Sequence, residues 1–315
     1  MGSKSLMSTN NFKAFGIGAG ANVTSQSDYE ALAALLTGFQ SGKASSAQIN
    51  KALRQSTTMA YVLAQFISDS AAVDVLDNGT PATILANLKK GMTSLTPGRL
   101  IGVQIITSSG TYTPTPGAKT GKVRGVGGGG GGGGCPSTST GQQACANGGL
   151  SGGYAEVQFD ITASSYAVTI GAAGAAGTKT PTAGGDGGST ILAGIVTIPG
   201  GPGGGAGAAS TSTVTVGNIG ASSIFPTVSS GKTLISLPPA PGEPFITLGS
   251  SAQQQRGGRG GSNLLGVGGA PGSGSPGVAG KGYGSGGGGC SQYASNAGDV
   301  GGAGMPGILI IEEYA

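Results

Sequence analysis

Apolar residues in the first 97 positions recur at helical spacing. The stretch Ser27-Asp28-Tyr29-Glu30 reads as a capping box with Ser27 as N-cap, and Gly38 ends the short helix that follows. A longer helix is predicted from Ser45 or Ser46 to about Ala72. Thr80-Pro81 begins a third helix, which Gly91 closes. The pattern predicts an all-helical first region.

One row of positions on the long helix steps alternately by four and three residues. Its members are Ile49, Leu53, Ser56, Ala60, Leu63, Ile67 and Ser70. A narrow row of this kind is typical of helices that associate in parallel as a homo-oligomer, whereas a globular domain usually shows a broader apolar face. We expect a parallel homo-oligomer, and pairing with the helix at residues 27–37 stays open as the alternative.

After residue 97 the apolar period changes from helical to two. The segments that read as strands are 100–107, 122–126, 154–161, 166–170, 190–198 and 308–311. In 154–161, Ala155, Val157 and Phe159 alternate with polar residues, so one face should be buried. We expect 166–170 to pair with this strand through the turn at 162–165. The apolar C-terminal strand places the end of the chain in a core.

Glycine-rich stretches separate these strands. The chain has 68 glycines, eight in residues 1–97 and 60 in residues 98–315, including eight in succession at 127–134. A glycine run has no side chain to bury, so it is either a linker or pairs through its backbone. Segments in polyproline-II conformation can satisfy one another if no Cβ keeps them apart. We favour pairing, because the stretches are multiple and embedded between apolar strands.

These patterns together predict the fold class and the division of the chain. Residues 1–97 form an α-helical N-terminal attachment and oligomerisation region, and 98–124 a β-rich connector. Residues 125–315 form a polyglycine-II helix sandwich with little regular α structure. Rods linked by turns collect their connections at the ends of the scaffold, where recognition sites are usually carried.

Composition narrows the chemistry. The chain has no histidine, which removes the commonest general base and metal ligand, and its net charge of +4 is thinly spread. We therefore expect no catalytic residues, cofactor, metal or nucleic-acid partner. No apolar run is long enough for membrane insertion, and residues 1–10 lack a secretory signal. Of the three cysteines, Cys135 and Cys145 could close a loop, or all three are reduced.

The segments between the glycine stretches are the candidate contact regions. They are residues 135–147, 178–183, 208–255, 262–265 and 290–297. Tyrosine with nearby amides supplies adaptable hydrogen bonds and aromatic contact area. The candidate contact residues are Gln142, Gln143, Asn147, Tyr283, Gln292, Tyr293 and Asn296. For each of them, a solvated turn is the alternative interpretation.

Glycine runs alternating with variable segments before the terminal Pro306-Gly307-Ile-Leu-Ile-Ile-Glu-Glu-Tyr314 strand resemble bacteriophage tail-fibre tip adhesins with a polyglycine-sandwich domain. Residues 102–114, running into Val123-Arg124-Gly125-Val126-Gly127, resemble the start of glycine-rich phage tail proteins, and Gly38-Phe-Gln-Ser-Gly42 with residues 50–55 resembles N-terminal fibre modules.

The resemblance implies a virion protein, made in the host cytoplasm and released by lysis. Such a protein recognises a bacterial outer-surface receptor, either an outer-membrane protein or a glycan, through its distal loops. Its N-terminal region binds other tail or baseplate proteins. Tip adhesins sit singly on a trimeric fibre, whereas the helical row of this chain favours a trimer, so the copy number stays open.

Two other classes remain as hypotheses. A structural or ice-binding glycine protein would present a regular row of Thr or Ala on one face. A glycan depolymerase would need a carboxylate pair, and Glu156 with Asp160 shares one strand face. Most such pairs are solvated strand faces, so we expect the protein not to be an enzyme.

Overall fold

The computed structural model describes residues 8–39, 45–212, 214–218, 220–248 and 255–315. The chain divides into two compact units, Met1–Pro97 and Gly98–Ala315. The motif at 38–42 and the connection at 208–255 lie partly outside the described residues.

The helices of the described residues all belong to the first unit. They are α1 Gln26–Glu30, α2 Ala34–Thr37, α3 Ser46–Ala71 and α4 Pro81–Ser94. The N-cap of α1 is Ser25, whose hydroxyl accepts a hydrogen bond from Asp28 N, so the predicted cap at Ser27 is wrong. The predicted helix end at Gly91 is wrong, since α4 continues to Ser94. Gly91 is buried, and a Cβ there would fall onto Ser70 Oγ, so the glycine lets α4 lie close to α3.

Helix α3 packs along α4 around a small core of Ala64, Ile67 and Val75. Of the heptad-spaced apolar side chains on α3, Ile67 is buried, whereas Leu53 and Leu63 are 45% and 49% exposed. A contact of the kind expected for the alternative pairing with residues 27–37 is found at α1, where Lys51 Nζ lies 5.7 Å from the centre of the Tyr29 ring. Most of the row is therefore exposed in the described part of this unit.

The described residues of the second unit contain sixteen strands. The first eight are β1 Leu100–Ile106, β2 Gly110–Tyr112, β3 Thr120–Val126, β4 Ala144–Cys145, β5 Tyr154–Asp160, β6 Tyr166–Thr169, β7 Thr190–Leu192 and β8 Val196–Ile198. The others are β9 Thr215–Val216, β10 Thr227–Val228, β11 Lys232–Leu237, β12 Ile246–Thr247, β13 Gly266–Val267, β14 Lys281–Gly282, β15 Ser291–Gln292 and β16 Ile308–Tyr314.

Ten of these strands form two antiparallel five-stranded sheets. Their orders are β1-β16-β3-β5-β11 and β10-β8-β7-β6-β2. The main core takes side chains from both sheets, among them Val157 and Phe159 from the predicted buried face of β5. The predicted pairing of 166–170 with 154–161 is wrong, because β6 lies in the other sheet between β7 and β2.

The predicted fold class is also wrong. The α-helical region does not dominate the fold: the described residues hold four helices and are 17% helical, and antiparallel β-sheet is the main regular element. The prediction treated residues 98–124 as a β-rich connector separate from the strands that follow. The connector strands β1 and β3 instead flank β16 at the end of the chain, so a sheet forms across about 200 residues of sequence.

Residues 127–134, which we call the central segment, carry neither helix nor strand, yet every N–H of the segment is hydrogen-bonded. The N–H groups donate at 2.8–3.1 Å to three antiparallel neighbours in turn, with a repeat of three residues. Carbonyls 128–134 accept from three parallel neighbours with the same repeat. The antiparallel neighbours are 147–153, 182–188 and 299–305, and the parallel ones are 171–177, 199–207 and 284–290.

The hydrogen-bond partners of the central segment repeat every three residues and all lie on other segments. This pattern is typical of polyproline-II backbone, which has three residues per turn and no internal hydrogen bonds. It requires the segments to approach without side chains between them. A Cβ on Gly130 or Gly131 would fall onto the carbonyl oxygen of Pro202 or Ala175, respectively. The glycines are therefore needed here for close approach.

Strands of the two sheets lead directly into six of these seven segments. The central segment follows β3, and 147–153 and 299–305 run into β5 and β16 of the same sheet. Segments 171–177, 182–188 and 199–207 adjoin β6, β7 and β8 of the other sheet. The alternating directions of the glycine segments thus continue the antiparallel order of the strands.

Buried Glu313 of β16 joins the two sheets. Its Oε1 accepts hydrogen bonds from Tyr112 Oη of β2 at 2.8 Å and from Thr115 N at 2.9 Å. Burial by itself raises the pKa of Glu313, but the hydrogen bonds from Thr115, Tyr112 and Gln104 outweigh it and hold the pKa below its usual value. The carboxylate therefore stays charged and satisfied.

We predict that Gly131→Ala lowers the free energy of unfolding by more than about 3 kcal/mol, because the new methyl group overpacks the array. Thermal and urea unfolding, followed by circular dichroism, measure the change. Gly110→Ala is the matched control, since a Cβ at Gly110 meets no heavy atom within 4 Å, and its effect should stay within about 0.5 kcal/mol. Equal stability of the two variants would refute the packing described here.

Candidate functional site

The connections of the glycine segments meet at the end of the array that lies away from the sheets. The central segment and its three parallel neighbours finish there, and the three antiparallel neighbours begin there. The connections at this end include residues 135–146, 178–181 and 291–298, together with the start of the chain after 207. We call this surface the loop end.

A disulfide between Cys135 and Cys290 joins two of these loops at their base, with a Cα–Cα distance of 6.0 Å. Both cysteines are fully buried. Neither sequence alternative, a Cys135–Cys145 bridge or three reduced cysteines, is correct. Cys145 is a buried free thiol, and burial raises its pKa to about 12 despite a backbone hydrogen bond from Arg256.

Hydrogen bonds above the disulfide tie the same two loops together. Thr138 N donates to Asn296 O at 2.9 Å, and Asn296 N donates to Thr138 Oγ1 at 3.1 Å. Ser295 N donates to Ser139 O at 3.3 Å, and the hydroxyls of Thr140 and Ser295 are 3.3 Å apart. The two loops therefore form one cross-linked surface.

Two of the predicted contact residues lie beneath this surface instead of on it. Gln143 and Gln292 are 1% and 2% exposed. Gln143 Nε2 donates to Ser212 O at 2.7 Å, and Gln292 Nε2 donates to Asp299 Oδ2 at 2.7 Å. Each buried amide thus donates to a residue of a neighbouring segment, which makes the two glutamines supports of the loops.

Four others lie at the loop end and are partly exposed: Gln142, Asn147, Tyr293 and Asn296. Gln142 Oε1 accepts from Ser139 N at 2.9 Å and so shapes its own loop. Tyr293 lies over Gly274, with its hydroxyl 3.2 Å from Ser273 Oγ. Asn147 lines a cavity at the side of the array.

Tyr283 is at the opposite end. It packs against the cluster of Val126, Tyr154 and Ile308, next to the sheets, and its N–H donates to Leu265 O at 3.0 Å. The 262–265 segment lies at this end too, since Leu265 packs in the same cluster. The chain direction of each glycine segment determines at which end of the array the following residues lie, and the sequence does not specify that direction.

Sequence reasoning missed the hydroxyl residues of the loop end. Ser137, Ser139 and Thr140 are exposed in one loop, and Ser295 is exposed in the other. The run Ser137-Thr138-Ser139-Thr140 is the signal that could have found them. Both loops lack charged residues, and Lys179 is an exposed charge on a neighbouring loop. The surface is suited to hydrogen bonding with an uncharged partner.

Glu156 and Asp160, the carboxylates considered for catalysis, lie on β5, away from the loop end. Glu156 Oε2 is 2.8 Å from Lys122 Nζ, and Glu156 Oε1 accepts from Tyr154 Oη at 2.6 Å. These two hydrogen bonds, from Lys122 first, lower the pKa of Glu156. A general acid of a glycosidase needs the opposite shift.

Comparison with known proteins gives the chain no family: it matches no protein-family model and no curated protein. Among the described residues, no group of three or more His, Cys, Asp or Glu could hold a metal ion. None of the helices in the described part of the chain has the length and apolar character needed to cross a membrane.

We predict that alkylation of the denatured protein without reduction modifies one cysteine, and that alkylation after reduction modifies three. Mass spectrometry of the intact chain counts the labels. The Cys135→Ala/Cys290→Ala variant should lose about 2–5 kcal/mol of stability and be cleaved faster by protease within residues 135–147. Cys145→Ala is the control, because it removes a thiol without opening a bridge. Three labels without reduction would contradict the disulfide.

Proposed function

We propose that this protein is a bacteriophage tail-fibre adhesin that contacts a receptor on the bacterial outer surface through its loop end. The observation that carries the proposal is the concentration of uncharged, hydroxyl-rich loops, cross-linked by Cys135–Cys290, at one end of a glycine scaffold. Pre-ordered loops lose little conformational entropy on binding, which favours recognition. The receptor is an outer-membrane protein or a glycan, and the protein acts in the virion after release by lysis.

The contact residues in this proposal are the outward-facing ones. Gln142, Tyr293 and Asn296, with the exposed hydroxyls of Thr140 and Ser295, form the surface, and Gln143 and Gln292 hold it from below. Tyrosine provides aromatic area with few rotatable bonds, and the amides and hydroxyls provide hydrogen bonds.

Of the other classes, a structural or ice-binding protein has one observation in its favour. Ala172 and Ala175 are exposed one turn apart on segment 171–177. This row extends over only two turns, and the adjacent segment 182–188 presents exposed Asp186 beside it. A short and interrupted row does not supply the extended regular face that this function needs, so we retain the adhesin.

We predict that Thr140→Lys with Asn296→Lys lowers binding of the full chain to receptive bacteria at least about tenfold, because two charges disrupt an uncharged contact. Binding of labelled protein to a panel of bacterial strains and isolated envelope fractions measures the effect. Thr162→Lys, at an exposed turn beyond β5, is the control and should bind normally. Binding to no envelope, or unchanged binding by the double variant, would overturn the proposal.

We further propose that Met1–Pro97 joins three copies of the chain and attaches them to other tail or baseplate proteins. The exposed row on α3 supports this, since it is uncharged and heptad-spaced from Ile49 to Leu63. About 14 residues of helix span roughly 21 Å, enough for a short interhelical seam.

We predict a trimeric mass for the full chain by light scattering. Leu53→Gln with Leu63→Gln should reduce the mass to that of a monomer, because two polar amides then face the seam. Leu264→Gln, an exposed leucine of the second unit, is the control and should stay trimeric. A monomeric wild-type protein would refute this assembly and leave the receptor proposal to its own test.

A further inference from the structure

Two asparagines of the chain precede a glycine, Asn78 before Gly79 and Asn147 before Gly148. The backbone nitrogen that follows an asparagine can attack the carbon of the side-chain amide, and glycine favours this attack because it has no Cβ to obstruct it. The side-chain nitrogen is then lost as ammonia, so an Asn-Gly pair deamidates spontaneously wherever the fold permits the reaction. The two pairs lie in very different surroundings.

Asn78 and Gly79 are exposed in the bend that precedes α4. Gly79 has a φ of 72°, and a Cβ built there would meet no heavy atom within 4 Å. Among the described residues, neither the Gly79 N–H nor the Asn78 carbonyl takes part in a backbone hydrogen bond. The attacking nitrogen is therefore accessible, and no backbone partner holds the peptide that must rotate.

The side chain of Asn78 is turned toward the following peptide. Its Oδ1 accepts hydrogen bonds from Thr80 N, at 3.3 Å, and from Thr80 Oγ1. The ring closed by the first of these bonds contains both Asn78 Cγ and Gly79 N, so it keeps the two reacting atoms beside each other. Negative charge develops on Oδ1 when the nitrogen adds, and donors already directed at such an oxygen stabilise the transition state. Thr80 supplies two of them.

Asn147 has none of these features. Its carbonyl accepts from Gly133 N at 2.9 Å, and its N–H donates to Gly205 O at 3.1 Å. Gly148 is buried, and the backbone of Gly258 packs against its nitrogen. Asn147 Oδ1 is buried and, in the part of the chain that the structure describes, accepts no hydrogen bond. The rotation that brings the nitrogen of Gly148 to Asn147 Cγ would break the glycine array.

We propose that Asn78 is a site of self-modification, at which Thr80 accelerates deamidation. Gly79 N gives its proton to the solvent and forms a bond to Asn78 Cγ, and the bond from Cγ to the side-chain nitrogen breaks as ammonia leaves. Water then opens the resulting succinimide at either of its carbonyls and yields aspartate or isoaspartate. The reaction consumes water and releases ammonia without a change of oxidation state.

The product adds a negative charge next to Asp77, shortly before α4. Asp77, Gly79 and Thr80 border a groove whose apolar walls include Ile84 and Leu88 of α4. A carboxylate near the N-terminus of a helix is favourable, so aspartate should leave α4 intact, whereas isoaspartate lengthens the main chain by a methylene group. The modification thus changes the charge beside this groove as the protein ages. The inference does not depend on the receptor proposal or on the trimer.

The test incubates the full chain in neutral buffer at physiological temperature and follows deamidation by mass spectrometry of proteolytic peptides. We expect the peptide that contains Asn78 to gain the mass difference between an amide and an acid, while the peptide that contains Asn147 stays unchanged. In urea both peptides should deamidate, because the array no longer protects Asn147. An unmodified Asn78 in the folded chain, or equal rates at the two asparagines, would overturn the proposal.

A matched pair of variants isolates the part played by Thr80. Thr80→Val keeps the N–H and removes the hydroxyl, so it should slow deamidation of Asn78 in the folded chain at least about threefold, because one donor to the developing oxyanion is lost. Thr80→Ser keeps the hydroxyl and should react like the wild type. The Thr80 side chain makes no cap hydrogen bond to α4, so neither variant removes a helix cap. Equal rates for Thr80→Val and the wild type would refute the role of Thr80.

Discussion

The second unit depends on hydrogen bonds between backbones that no side chain separates. Ordering a glycine costs roughly 1–2 kcal/mol or more, and the glycine itself buries almost no apolar surface in return. The central segment offsets this cost by bonding all eight N–H groups and the carbonyls of 128–134 to six neighbours. A buried backbone group left unpaired would cost about as much as a lost hydrogen bond, so the array is stable only when complete.

Such an array cannot set its own register, because one glycine is chemically the same as the next. The two sheets supply that register. Alternating side chains on β5 and the pairing of β3 with β16 fix each strand to within one residue, since a slip would turn apolar residues outward. Residues 127, 153 and 305 then enter the array at defined positions. The side-chain core thus determines how segments without side chains align.

Because the sheets set the register and the glycine segments follow it, the sequence predicts some parts of the fold and not others. Local patterns located most of the larger strands and the glycine stretches, because periodicity and missing side chains are local properties. They could not predict that β6 leaves the sheet of β5, or that Cys135 joins Cys290, since both depend on partners far along the chain. They also placed Gln143 and Tyr283 on the contact surface, although Gln143 is buried beneath it and Tyr283 lies at the opposite end of the array. Both outcomes depend on tertiary packing that local patterns do not contain.

The same constraint explains where specificity can arise. Within the array most glycines face a neighbour's carbonyl, so substitution there meets backbone that cannot move aside. Thr140 and Ser295, by contrast, are exposed and supported from beneath by a disulfide and buried amides. A scaffold that rejects side chains inside and tolerates them at one end confines chemical variation to that end. A change of side chains in the loops therefore requires no change in the packing of the glycines.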